Sequence, residues 1–149
     1  MSNNTKIIWY LAFAVVIGVI LNNTMHLYYL WMPASHWVEY EKIELIEPAY
    51  VGERLRFVSY RTIHNKVGIR FANDLMCWDG DRGTYEFYEK YRSSNPTPEN
   101  GPATWYFKEI VNVEKSCYLH ANIILNLPYD VRKVITLDSP KFNISRRDT

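Results

Sequence analysis

The chain has 149 residues, and its 17 Lys and Arg against 16 Asp and Glu give a formal net charge of +1. Because charges of both signs are scattered along the chain, it lacks the basic patch of a nucleic-acid-binding protein, and no nucleic-acid partner is expected. Without residues 1–36 the chain is long enough for one hydrophobic core, so we expect a single domain after an apolar N-terminal segment.

The N-terminal apolar segment is the uncharged stretch 7–21, IIWYLAFAVVIGVIL. As an α-helix it would be roughly 22 Å long, shorter than the ~30 Å hydrocarbon core of a bilayer. We therefore expect the helix to continue through Asn22 and Asn23 to about Tyr28, and Pro33 to end it. The sequence predicts a transmembrane signal anchor and interfacial segment at residues 7–32, whose partner is the lipid bilayer.

The orientation of this anchor follows from the basic residues. Lys6 precedes it, and no Lys or Arg follows before Lys42. Positive charge stays on the cytosolic side, so residues 1–6 are expected in the cytosol and the C-terminal domain in the periplasm or extracellular space. A cleaved signal peptide is the alternative, but residues 21–24, Leu-Asn-Asn-Thr, offer no small-x-small cleavage site. The Asn pair also leaves open a marginal anchor that later leaves the membrane.

After a linker at residues 33–36, apolar and polar residues alternate, which is typical of β-strands. The region 37–144 is predicted to be one β domain, followed by a polar tail at 145–149. Residues 93–103 contain three prolines and are expected to form its longest loop. We predict seven strands, the last one interrupted at Ser139-Pro140: 38–47, 54–63, 67–78, 84–92, 104–113, 116–127 and 133–144.

The two cysteines, Cys77 and Cys117, are too few for a zinc site and are not in C-x-x-C spacing. In an exported domain a lone pair is expected to form one disulfide, which would stabilise the domain by about 4 kcal/mol in the chain-entropy model. If the domain stayed in the cytosol, both would be buried thiols.

Seven short strands at this spacing, with no helical period after residue 36, indicate an all-β fold, an antiparallel β-sandwich. Their number and order of lengths resemble immunoglobulin-like or fibronectin type III-like ectodomains over residues 37–144. The antibody Cys-Trp-Cys spacing is not present, since Trp105 lies close to Cys117. If the seven strands are lettered A to G as in such a fold, Cys77 ends strand C and Cys117 begins strand F. The resemblance therefore implies a disulfide between neighbouring strands of one sheet.

One small sandwich on one anchor also resembles, in general style, membrane proteins encoded by bacteriophages. That resemblance implies a phage protein of the host envelope, acting for example in lysis control or in excluding other phages.

Candidate catalytic or metal-binding residues form no known motif. The carboxylates of residues 79–86 match a calcium loop poorly and suit a tight hairpin better. His26, His36, His64 and His120 are isolated from one another in the sequence. We therefore expect a non-enzymatic protein with no cofactor and no metal.

A candidate interaction face follows from the alternation of the strands. Tyr118, His120 and Asn122 have the parity opposite to Cys117, and Arg70 has the parity opposite to Ile69. Polar and aromatic side chains on one sheet face are typical of interface centres, although an ordinary solvated face has the same composition. If this face does not bind, the loop 93–103 is the next candidate.

The sequence thus favours a single-pass membrane protein whose β domain binds another envelope protein or its own copies. The alternative is an accessory or assembly subunit of a membrane enzyme complex. In that case His64, His120 or the 79–86 hairpin would position a metal or substrate.

Overall fold

The computed structural model describes residues 3–95 and 100–147, with backbone only for residues 3, 4 and 87–95. The chain divides into two compact units. One combines the residues up to Met32 with the turn Leu127–Val131, and the other comprises Pro33–Asn126 and the residues from Arg132 onward.

The first unit is built on helix α1, Asn3–Trp31. Its segment Thr5–Trp31 is long and apolar enough to cross a membrane, with a length of roughly 40 Å at 1.5 Å per residue. The helix continues through Asn22 and Asn23, as predicted, and it ends before Pro33. The hydroxyl of Thr24 donates a hydrogen bond to the Ile20 carbonyl at 2.9 Å, which satisfies this polar group within the helix.

The second unit begins with a 3-10 turn, Ala34–His36, and continues with nine strands. The strands are β1 (Val38–Leu45), β2 (Ala49–Tyr50), β3 (Arg54–Ile63), β4 (Gly68–Asp79), β5 (Thr84–Asn95), β6 (Gly101–Ile110), β7 (Lys115–Asn126), β8 (Arg132–Asp138) and β9 (Phe142–Ser145).

The predicted count of seven strands is wrong for two reasons. A short additional strand, β2, follows Pro48, where the first predicted strand was expected to end, and the predicted interruption at Ser139-Pro140 divides the last strand into β8 and β9. A proline has no N–H to donate to a strand ladder. At the second break, the Ser139 hydroxyl accepts a hydrogen bond from the Leu119 N–H, and the Ser139 N–H donates to the Leu119 carbonyl, both at 2.9 Å.

The predicted loop 93–103 is also wrong at both ends, since β5 extends to Asn95 and β6 begins at Gly101. Pro102 is tolerated because β6 lies at the edge of its sheet, where one side of the strand needs no ladder partner. Residues 96–99 lie outside the described residues.

The strands form two sheets. One has the order β1-β3-β6, and the other has the order β2-β9-β7-β4-β5, with β8 also paired to β7. The pairs are antiparallel except for β2 and β9, which are parallel. Strands β8 and β9 pair with successive segments of β7.

Both sheets contribute to one hydrophobic core. The Phe57 ring lies 5.1 Å from the Trp105 ring in its own sheet and 5.8 Å from the Phe142 ring of the other sheet. The predicted alternation in β7 is present, with every second side chain from Cys117 to Leu125 buried. The most deeply buried members of this cluster are Ile43, Phe57, Leu75, Cys77, Phe107, Cys117, Leu119 and Ala121.

Candidate functional site

The candidate site is the outer face of the six-stranded sheet, on strands β4, β7 and β8. Strands β4 and β7 pair without interruption from Gly68↔Asn126 to Trp78↔Ser116. Because side chains alternate between the two faces, the residues between the buried positions point outward. Arg70 is exposed, and Tyr118, His120 and Asn122 are half-buried, so all four predicted residues have outward parity. Their role in binding stays a prediction.

The register brings three of these residues together and separates the fourth. Tyr118, His120 and Asn122 follow one another on β7 opposite Met76, Asp74 and Ala72. Arg70 lies further along, opposite Ile124. The face therefore has an aromatic end at Tyr118 and an aliphatic end at Ile124.

The centre of the face is His120, flanked by one residue on each neighbouring strand. Its Nδ1 lies 2.6 Å from Oδ1 of Asp138 on β8, in a hydrogen bond between register partners. On the other side, His120 is the register partner of Asp74 on β4. The sequence alone does not point to Asp138, because its place beside His120 depends on the pairing of β7 with β8.

The next cross-strand pair has the same arrangement. The Thr136 hydroxyl donates a hydrogen bond to Oδ1 of Asn122 at 3.1 Å. Two adjacent half-buried side chains of β7 are thus held by partners on β8. A side chain that is already held loses less rotamer freedom when a partner binds, a saving of about 0.5–1.5 kcal/mol for each.

Asp74 was also missed, although it shares its parity with Arg70. It is only 8% exposed, and within the described part of the chain its Oδ1 is buried without a hydrogen-bond partner. The centre of the face therefore includes a buried carboxylate beside His120.

Aromatic side chains form one end of the face. The Tyr85 ring makes edge-to-face contacts with the rings of Trp78 and Tyr118, at centroid distances of 5.1 and 5.3 Å. The Lys141 ammonium lies 5.9 Å from the centre of the Tyr85 ring, within cation–π range. Trp78 is 40% exposed, which leaves a large apolar surface for contact.

The aliphatic end lies on the opposite side of His120. Val134 of β8 is 57% exposed and pairs in register with Ile124 of β7. A polar centre thus lies between an aromatic end and an end where aliphatic side chains lie beside Arg70.

The hairpin 79–86 is held by its own neighbours. Oδ1 of Asp79 accepts a hydrogen bond from the Asp81 N–H at 3.1 Å, and Gly83 closes the turn with a φ of 66°, a conformation that favours glycine. Glu86 forms an ion pair with Lys115. These contacts are those of a tight hairpin.

The remaining metal-ligand candidate of the alternative hypothesis was His64. His64 directly follows β3. Its Nε2 lies 3.6 Å from a carboxylate oxygen of Glu39 on β1, and β1 belongs to the three-stranded sheet, whereas His120 lies in the six-stranded sheet. Among residues 5–86 and 100–147, whose side chains the structure describes, no three His, Cys, Asp or Glu side chains form a group that could hold a metal ion.

The two cysteines lie below the aromatic end of the face. Cys77 and Cys117 are register partners on β4 and β7, with their sulfur atoms 2.00 Å apart and their Cα atoms 4.0 Å apart. The two cysteines therefore lie on neighbouring strands of one sheet and within disulfide distance of each other, as predicted.

Comparisons with protein-family models, with curated proteins and with solved structures found no match to this chain. By its own geometry, the outer face offers carboxylate and amide oxygens between an aromatic and an aliphatic end.

Proposed function

We propose that this chain is a non-enzymatic, single-pass membrane protein that presents a β-sandwich binding domain outside the cytosol. The long apolar helix α1 supports the membrane anchor. Lys6 before the apolar stretch, and the absence of Lys and Arg from there to Lys42, support a cytosolic N-terminus. The segment 21–24 has no small-x-small pattern, which supports an anchor that is retained.

The strand order supports an immunoglobulin-like sandwich. Strands β1, β3 and β6 correspond to strands A, B and E of such a domain, and they share one sheet. Strands β4 and β7 correspond to C and F, β8 and β9 together correspond to G, and all of these lie in the other sheet. Immunoglobulin-like sandwiches divide their strands in this way. Strand β5 pairs with strand C, the position that variable-type domains give to strand C′.

The outer face of the six-stranded sheet is the proposed binding surface for another envelope protein or a second copy of this chain. The observation that carries this assignment is the pair of adjacent cross-strand hydrogen bonds that hold His120 and Asn122 between the exposed Trp78 and Val134. An ordered polar centre between apolar anchors is the composition of interface centres.

Photo-crosslinking in intact membranes tests this assignment. A photo-reactive amino acid would replace Asn122 in the full chain, and in a matched control it would replace Tyr106, which is exposed on the other sheet. We expect crosslinked species from position 122 and few or none from position 106. A second copy and a different protein are distinguished by the mass of the adduct.

Equal crosslinking from both positions, or none from position 122 in a chain that is monomeric in detergent, would contradict the binding role. Bound metal at stoichiometric amount in the purified protein would instead support an accessory subunit of an enzyme complex.

A further inference from the structure

The turn Leu127–Val131 has a strained backbone at its tip. Tyr129 and Asp130 have φ values of 60° and 55°, in the left-handed region. For a residue other than glycine, this conformation costs about 1–2 kcal/mol, and Asp tolerates it better than Tyr. The turn is closed by hydrogen bonds between Leu127 and Val131, at 2.9 Å, and between Val131 and Pro128, at 3.4 Å. A bulky aromatic residue thus stands where glycine would be less strained.

The Tyr129 ring packs on helix α1 within the first compact unit. Its centroid lies 5.6 Å from that of His26, in a stacked arrangement, and 5.9 Å from that of Tyr29. His26 and Tyr29 are three residues apart and therefore share one helix face. From residue 21 to residue 31 of α1, these two are the half-buried residues and the others are exposed. The contact places Tyr129 at the level of Tyr29 along the helix.

That level corresponds to the membrane interface if α1 spans the bilayer. A hydrocarbon core of ~30 Å takes about 20 helical residues. A span that begins near Trp9 therefore ends near Tyr28, and Tyr29 follows at the boundary with water. Tyrosine is enriched at this boundary because its ring is apolar and its hydroxyl is polar. Tyr129 keeps 44% of its surface exposed beyond its contacts with the helix.

We propose that the turn Leu127–Val131 is a second membrane-contact site, in which the Tyr129 ring lies among the lipids at the interface beside the C-terminal end of α1. The ligand is the headgroup and upper acyl region of a phospholipid bilayer. This inference depends on the proposed membrane anchor and adds a contact from a segment about a hundred residues further along the chain. The ring contacts of Tyr129 with His26 and Tyr29 offset the strain of the turn.

An environment-sensitive fluorophore attached to a new cysteine tests the proposal. The full chain carrying Tyr129→Cys would be labelled and reconstituted in phosphatidylcholine vesicles that contain lipids with a quencher near the headgroup. The native cysteines are paired and buried, so they do not compete for the label. Matched variants carry the label at Val15→Cys, in the middle of the predicted span, and at Tyr106→Cys, on β6.

We expect blue-shifted emission at position 129 and quenching by the shallow quencher that is several-fold stronger than at position 106. At position 15 we expect quenching by lipids with a deep quencher. A label at Asp130→Cys gives a second reading of the same turn, in case the Tyr129 variant folds poorly.

Water-like emission at both 129 and 130, with deep quenching at 15, would overturn the second contact and leave the anchor standing. If the label at 15 also remains unquenched, the anchor itself is wrong. The two failures are therefore distinguishable.

Discussion

At the scale of single residues, the paired cysteines carry the clearest stability prediction. Cys77 and Cys117 are 40 residues apart in the chain and face each other in the core. We expect the non-reduced protein to lack two hydrogens relative to the free thiols by mass spectrometry. Reduction should lower the free energy of unfolding by at most about 4 kcal/mol, because the crosslink mainly restricts the unfolded chain.

A denaturant titration with and without reductant measures this loss, and the non-reduced protein is the control. Two free thiols in protein isolated under non-reducing conditions would contradict the prediction.

At the scale of strands, the outer face supports a prediction that separates stability from binding. Outward parity alone predicts that replacing Arg70, Tyr118 and His120 by Ala leaves stability nearly unchanged. In the structure, however, His120 is bonded to Asp138 and Tyr118 packs on Tyr85. A hydrogen bond between side chains contributes about 0.5–1.5 kcal/mol and an aromatic pair about 0.5–1.5 kcal/mol. We therefore expect the triple variant to fold and to lose about 1–2 kcal/mol of stability.

The same triple variant should lose the crosslinks formed from position 122. The control is the double variant Tyr106→Ala and Lys108→Ala on the other sheet, which should keep them. Thermal unfolding and the crosslinking yield are measured on both. A triple variant that keeps its crosslinks moves the binding surface elsewhere, and one that unfolds shows that these side chains belong to the core.

Strand-level predictions from the sequence succeeded where alternation was strong and failed where pairing decided the outcome. In β7, alternating apolar residues identify the buried side chains, because the strand period depends on local backbone geometry. The additional strand β2 after Pro48, and the division of the last strand into β8 and β9 at Pro140, depend on which neighbour each segment pairs with. Edge placement likewise decided that Pro102 could lie within β6.

At the scale of the whole molecule, the proposed anchor leads to a prediction about membrane fractionation. We expect the full chain to stay in the membrane pellet after carbonate or high-salt washing, because helix α1 can bury its exposed apolar side chains in lipid. The variant with Val15→Lys and Val19→Lys should be released, since a charged residue at the centre of a span costs about 2.5–3.5 kcal/mol. Wild-type protein in the soluble fraction would contradict a retained anchor.

The sequence by itself determined the features that depend on neighbours along the chain. These are the apolar helix that ends before Pro33, the alternation of the strands, and the inward parity of both cysteines. The tertiary structure decided that Asp138 bonds to His120, that Asp74 is buried beside them, and that Tyr129 packs on α1. Each of these contacts joins separate segments of the chain, so it depends on strand pairing or on tertiary packing and not on neighbouring residues alone.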